Sequence, residues 1–389
     1  MALPIKYSLR NIVVRWRATL ATIGGVALVV FVYLWMQAMA SGLDKAAVST
    51  GDPRNLLIVR KGADSESTSQ VKREDLGIIQ YSDEIARDAK GQPLISADFL
   101  TVVYLQRQGA VTGGTNVTFR GVSPNGRELR PQVKLTAGRW PQPGNREVTI
   151  SQRLAARFAN TQVGGVIEIS KAKQLKVVGH FDAGGSAFDS EAWMDSDEAR
   201  SFFNRDNYSS LLVRPASDAA GQALAKRLEA DKRMVLRVKR EVDYYSEQTK
   251  TSEPIRFMGN FLAVAMSIGA VCAAMNTMYA SVGARTREFG TLRVLGFRRR
   301  AVVLGILLEG AGLALIGGAL GCLLAQFVNG YRAGTINFAT FSETVFELHV
   351  TPELMGKGLI FSAIVGLVGS LLPALRAARM PVITALKAA

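Results

Sequence analysis

Candidates for chemistry, by type and placement, begin with two histidines, His180 and His349, two cysteines, Cys272 and Cys322, and one carboxylate, Glu309, inside an apolar run. The histidines lie far apart, and neither has Cys, Asp or Glu neighbours at metal-ligand spacing, so structural or surface roles are expected for both. Both cysteines fall in apolar stretches, without CxxC or metal spacing, which predicts packing. No GxSxG, HExxH or GxxxxGK[ST] run occurs. The last absence matters most, because that loop cradles nucleotide phosphates. No catalytic, cofactor or metal site is therefore expected in this chain, and any ATP and Mg would be bound by a partner. Glu309 is different. A carboxylate among apolar residues is costly unless it pairs, and no second acid or histidine follows it to form a proton relay, so a pairing role is expected. Counted from Ala301, it stands about 12 Å into its helix at 1.5 Å per residue.

The elements around these residues are mostly apolar helices. Residues 18–40 and 257–283 are runs without a charge, 301–331 contains only Glu309, and 358–375 closes the set. About 20 apolar residues cross a bilayer core as a helix, so four transmembrane helices are predicted. Ala38-Met39-Ala40 resembles a signal-peptidase site, but the apolar run before it exceeds the 7–15 residues of a cleavable segment. A retained helix is expected.

The net charge of +15 is confined in a telling way. Segments 1–17, 284–300 and 376–389 hold 13 Lys/Arg against one acid, Glu288. Basic residues in short segments beside apolar spans follow the positive-inside rule, and nucleic acid is not needed to explain them. This is expected to put both termini and 284–300 in the cytoplasm of a multi-pass membrane protein. It puts 41–256 and the loop 332–357 outside.

Residues 41–256 read as a mixed α/β domain. Asn55–Arg60, Phe99–Leu105, Asn116–Gly121, Val166–Ser170 and Leu175–Gly179 have strand period and composition. Ser151–Phe158 reads as helix, and Ser209–Val238 as strand, helix, strand. The polar run Arg240–Arg256 suggests a helical stalk with a bend at Pro254.

Ala284–Phe297 (ARTREFGTLRVLGF), Leu308–Leu324 (LEGAGLALIGGALGCLL) and Ser370–Leu386 (SLLPALRAARMPVITAL) together resemble the FtsX/MacB family of ABC permeases. In Ala284–Phe297, Arg285, Arg287, Glu288, Gly290, Leu292, Arg293 and Gly296 match the family's R-x-R-E-x-G-x-L-R-A-x-G segment. The resemblance implies a coupling helix that docks on an ATPase. Glu288, Leu292 and Leu295 share one helical face, and Gly296 suits a helix C-terminal cap. In Leu308–Leu324, Glu309 leads a helix whose Gly317, Gly318 and Gly321 form a small-residue face for close packing. In Ser370–Leu386, Pro373, Ala374, Ala377, Pro381, Ala385 and Leu386 match the family's ending, with Arg376 and Arg379 stopping the span. Pro381 starts a short amphipathic tail. The outer domain, from Leu135–Trp140 through Trp193–Asp195, is similar to the MacB-type periplasmic core; MacB carries a fused ATPase, whereas here a separate ATPase is expected.

The resemblance implies a four-helix permease with a MacB-like periplasmic core domain between helices 1 and 2. It implies a cytoplasmic ABC ATPase dimer, a second permease copy (the same chain or another) and membrane lipid as partners, with a periplasmic adaptor and an outer-membrane channel as further candidates. ATP would drive outer-domain movements that export or extract a substrate. One alternative is an FtsX-like regulator of a cell-wall hydrolase or sensor. Another is a membrane-anchored enzyme working through residues 41–256.

Overall fold

A computed structural model describes residues 16–109, 113–247, 252–336 and 342–381. The chain divides into two compact units. One holds residues 1–41, 253–331 and 348–389, and the other holds 42–252 and 332–347.

The first unit holds all or most of four long helices, α1 (Trp16–Val48), α7 (Ser252–Ala284), α9 (Arg299–Phe327) and α10 (Pro352–Arg379), of 33, 33, 29 and 28 residues, with the last turns of α1 in the second unit. All are long and apolar enough to cross a membrane. At 1.5 Å per residue even the shortest runs about 42 Å, beyond the ~30 Å of hydrocarbon. α1 continues without a break through Ala38 and Ala40, both buried.

Helix bounds differ from expectation where local chemistry decides them. α9 closes at Phe327 rather than at 331, in a turn carrying the left-handed Gly330. α10 begins at Pro352 rather than at 358, because Thr351 Oγ1 accepts the Leu354 N–H at 3.3 Å and proline is tolerated in a first turn. Pro254 likewise sits in the first turn of α7 and marks no bend. Cys322 packs within this unit, whereas Cys272 faces outward from α7, contrary to the packing role predicted for it.

The second unit is built on a ten-stranded sheet in the order β10-β1-β9-β2-β3-β8-β5-β7-β4, with β6 also on β7. The strands are β1 (Leu56–Arg60), β2 (Ile95–Gln106), β3 (Gly114–Val122), β4 (Lys134–Gly138), β5 (Glu147–Ser151), β6 (Val166–Ser170), β7 (Lys173–Asp182), β8 (Glu191–Asp195), β9 (Ser210–Val213) and β10 (Leu236–Arg240). Helices α2 (Arg73–Ile79), α3 (Gln152–Ala155), α4 (Ser196–Phe202), α5 (Asp218–Ala230) and α6 (Glu241–Glu247) lie between or after them. All five predicted strands and the strand–helix–strand segment are present. The helix predicted over Ser151–Phe158 shortens to α3, because the chain turns out so that Phe158 can bridge to Arg107.

Two further segments depart from the sequence reading. The start of the stalk is α6, and its Tyr244 and Tyr245 enter the core with Trp193 and Phe188, so this stretch belongs to the domain. The outer loop 332–357 is not a loop throughout. It contains β11 (Arg332–Ile336) and β12 (Glu343–Glu347), an antiparallel pair that belongs to the second unit, and it runs into α10.

Candidate functional site

The expected site residues gather where α7 ends. Arg285 leaves helical geometry (φ −108°, ψ 15°), and the chain restarts as α8 (Thr286–Val294). Buried to 7% exposure, Arg285 donates from Nη1 to Glu309 Oε2 of α9 at 3.0 Å and from Nε to Glu288 Oε2 at 3.1 Å. Its guanidinium also lies 5.3 Å from the centre of the Phe289 ring. The partner that Glu309 requires is thus the first residue of the matched motif. Counting from Ala301 put this carboxylate deep in a span, but its contact with the residue after α7 means the first turns of α9 run past the end of α7.

The inner face of α8 is occupied. Phe289 and the half-buried Leu292 join a cluster with Met278 and Val282 of α7, Val302 and Ile306 of α9, and Ala377 of α10. Gly290 is buried, and Arg293 Nη1 donates to the Ala378 carbonyl of α10 at 2.9 Å. The predicted face of Glu288, Leu292 and Leu295 is therefore split: Glu288 is drawn to Arg285, Leu292 turns inward, and Leu295 is 71% exposed. What α8 presents outward is Arg287, Thr291, Val294 and Leu295. A helical wheel drawn on residue types alone missed Phe289, the bulkiest apolar residue of the segment, as the inward anchor.

Gly296 caps α8. At φ +90° its N–H donates to Arg293 O at 3.2 Å, and Phe297 N–H donates to Leu292 O at 3.1 Å. These are the two bonds of a Schellman cap, which a glycine accepts without a Cβ penalty.

The three helix-packing glycines divide their work. A Cβ on Gly317 or Gly321 would stand 2.8 Å and 2.7 Å from backbone oxygens of α1, those of Ile23 and Ala27. A Cβ on Gly318 would meet Ser362 of α10. α9 therefore touches α1 on one side and α10 on the other. In the final motif, Pro373 and Ala377 are buried, Arg376 lies 5.6 Å from the ring centre of Tyr279, and Arg379 ends α10 in an exposed position. Pro381 is exposed, and the tail expected after it, with Ala385 and Leu386, lies outside the described residues.

Several chemistry-bearing residues of the sheet unit are held in structural contacts. His180 Nε2 lies 2.7 Å from the Thr161 carbonyl. A buried charge network escaped sequence reading altogether. Arg120 reaches Glu191 at 2.7 Å, Glu66 at 3.1 Å and Asp98 at 3.2 Å, and Arg130 also bonds Asp98. Buried charges persist when they are paired and hydrogen-bonded in this way. These residues come from β2, β3, β8 and two loops, and no local spacing announces them. Glu241, at the start of α6, accepts from the Asp52 N–H and from Asn55 Nδ2, both at 2.9 Å. Burial pushes its carboxyl up, Arg130 and these donors pull it down, and it settles at about 6. Among the described residues no group of three His, Cys, Asp or Glu could hold a metal.

Comparison with known proteins gives two family matches: a MacB-like periplasmic core domain over residues 18–231 and an FtsX-like permease C-terminal part over 260–382. The chain is 27% identical over 257 residues to the uncharacterized ABC transporter permease YknZ of Bacillus subtilis, covering 63% of this chain and 62% of that one. It is 29% identical over 218 residues to the macrolide export ATP-binding/permease protein MacB of Hahella chejuensis, covering 53% and 31%. The chain thus spans less than two thirds of the length of either relative. Among solved structures, the extracellular domain of a YknZ from Gram-positive bacteria matches with a TM-score of 0.37 at 15% identity, over 48% of this chain and 99% of that domain. The periplasmic region of MacB from Actinobacillus actinomycetemcomitans gives 0.39 at 15% identity, over 52% and 94%.

Proposed function

The chain belongs to the MacB/FtsX family of ABC transporter permeases, and on that premise we propose that it converts ATP hydrolysis by a separate cytoplasmic ATPase into movement of its sheet domain outside the membrane. That movement drives export or extraction of a substrate in the cell envelope. Two permease chains sit on two ATPase subunits, with both chain termini and α8 on the cytoplasmic side. The Arg-rich flanks of the spans support this orientation.

One observation carries the reading. α8 is held on its inner side by α7, α9 and α10 and left open on the other, where Arg287, Thr291, Val294 and Leu295 stand free of the unit. A short helix so anchored transmits a push rather than absorbing it. Glycine contacts that let helices approach closely, with the buried Glu309 paired to Arg285, favour a lever over a wide aqueous tunnel.

The test is the double substitution Val294→Asp/Leu295→Asp. Both side chains are exposed, so membrane insertion and folding should stay intact while ATPase co-purification and coupled turnover disappear. Full turnover in that variant would refute the docking role of α8.

A further inference from the structure

The two strands between α9 and α10 are built into the sheet unit. Val345 of β12 is 1% exposed in the core formed by Phe99, Phe119, Val148 and their neighbours. Its N–H donates to Ser190 Oγ at 2.7 Å. Glu343, 2% exposed, pairs with Arg157 and with Arg107 at 3.2 Å. Glu347 pairs with Arg153 at 3.1 Å, and Arg153 in turn holds the fully buried Asp189 at 3.1 Å. Two close approaches complete the seat. A Cβ on Gly334 of β11 would stand 2.3 Å from an Arg157 nitrogen, and one on Gly42 would stand 2.2 Å from the Glu347 carbonyl oxygen.

A connection between two membrane helices needs none of this. A few polar residues would join them. Instead, a carboxylate with two arginine partners and a core valine bind the connection to the domain, while the chain leaves it directly into α9 and α10. The sheet unit is therefore attached to all four long helices: to α1 and α7 through the chain before β1 and after α6, and to α9 and α10 through β11 and β12. The corner at Arg285 lies on α9's own side of this route, because Glu309 belongs to α9.

We propose that β11 and β12 are a second drive shaft, through which the α9–α10 pair moves the outer domain, with Glu343 as the positioning residue that keeps it engaged. This inference rests on the lever reading above. Under it, motion at α8 reaches the domain by two routes, and the route through α7 alone is not sufficient.

The experiment uses the full chain in nanodiscs with the ATPase that co-purifies with it. Nitroxide labels go on Tyr81→Cys, an exposed domain position, and Arg300→Cys at the start of α9, in a Cys272→Ser/Cys322→Ala background. Their separation is measured by pulsed EPR with and without ATP and vanadate. Glu343→Lys should shrink the nucleotide-dependent change at least about threefold while leaving ATPase binding intact. Glu343→Gln, which keeps the shape, should act in the same direction more weakly. Hydrogen exchange reports engagement separately: the Val345 amide should exchange slowly in the parent chain and roughly 100-fold faster in Glu343→Lys. A parent pair that does not respond to nucleotide overturns the lever reading and this inference with it. A responsive parent with an equally responsive, disengaged Glu343→Lys overturns the inference alone.

Discussion

Arg285 and Glu309 meet at 3.0 Å, with their side chains 9% and 7% exposed, and this contact fixes the start of α8 to the flank of α9. Removing Glu309 takes from the buried Arg285 one of the two carboxylates that it reaches. Glu309→Ala should destabilise the chain, by less than the roughly 3–5 kcal/mol that a buried charge left wholly alone costs, because Glu288 still holds Arg285. Arg285→Met/Glu309→Leu should lose less than the single change, because the one charge that then loses a contact, Glu288, is partly exposed to solvent. Thermal unfolding of the detergent-solubilised variants gives the ordering. A double variant worse than Glu309→Ala would show that the pair does more than neutralise itself.

Glycine substitutions along α9 should separate by position. Gly312 has nothing within 4 Å of an added Cβ, whereas one on Gly321 would lie 2.7 Å from the Ala27 backbone oxygen and 2.8 Å from Val30. Gly312→Ala should be neutral or slightly stabilising, since alanine is the better helix former by about 1 kcal/mol. Gly321→Ala should cost about 1–3 kcal/mol through forced separation of α9 from α1. Unfolding midpoints of the two variants in the same nanodiscs would test the ordering, and equal midpoints would remove the close-packing role.

Much of this was legible in the residues. Four apolar runs and strand periodicity were enough for the four long helices and the mixed α/β domain, because spanning helices and half-buried strands write their burial into local composition. Gly296 was legible too, since a helix-ending glycine after an amphipathic turn has one common use. Contacts between distant positions were not. Nothing near Glu309 names Arg285, 24 residues earlier, as its partner, and nothing in 332–357 signals that Val345 shares a core with Phe119. Arg120 reads as one arginine in an alternating strand, although three carboxylates converge on it. Pairings of this kind are set by tertiary packing, which a single sequence does not print.

The sheet unit should be more stable in mild acid than its charge count suggests, on account of Glu241. Its carboxyl titrates at about 6 in the fold against an ordinary 4.5, so the folded chain holds the proton more tightly than the unfolded one. This favourable contribution is complete below about pH 4.5 and is lost as pH rises through 6, where burial of the carboxylate costs about 2 kcal/mol at 1.36 kcal/mol per pH unit. Glu241→Gln keeps an oxygen for the Asp52 and Asn55 donors and removes the charge. The variant should gain on the parent chain between pH 5 and pH 8, by about 1–2 kcal/mol at the upper end. Denaturant unfolding across that range measures it, and a difference that does not change with pH would refute the assignment.

The last prediction concerns Gly296, whose φ of +90° closes α8 before α9 begins. A left-handed conformation costs a Cβ-bearing residue about 1–2 kcal/mol, except that asparagine bears it more easily. The conformation is worth keeping because it lets the Gly296 and Phe297 amides bond back to Arg293 and Leu292, which sets the direction in which the chain leaves α8. Relaxing the cap should unravel the last turn of α8, where Val294 and Leu295 face outward, without disturbing the Arg285 pair at the other end. Activity should therefore fall in the order Gly, Asn, Ala, Val at this position, with insertion into the membrane unchanged throughout. Coupled ATP turnover of the four chains, read beside hydrogen exchange at Phe297, decides the matter. Faster exchange at Phe297 with unchanged turnover would mean that the end of α8 bears no load.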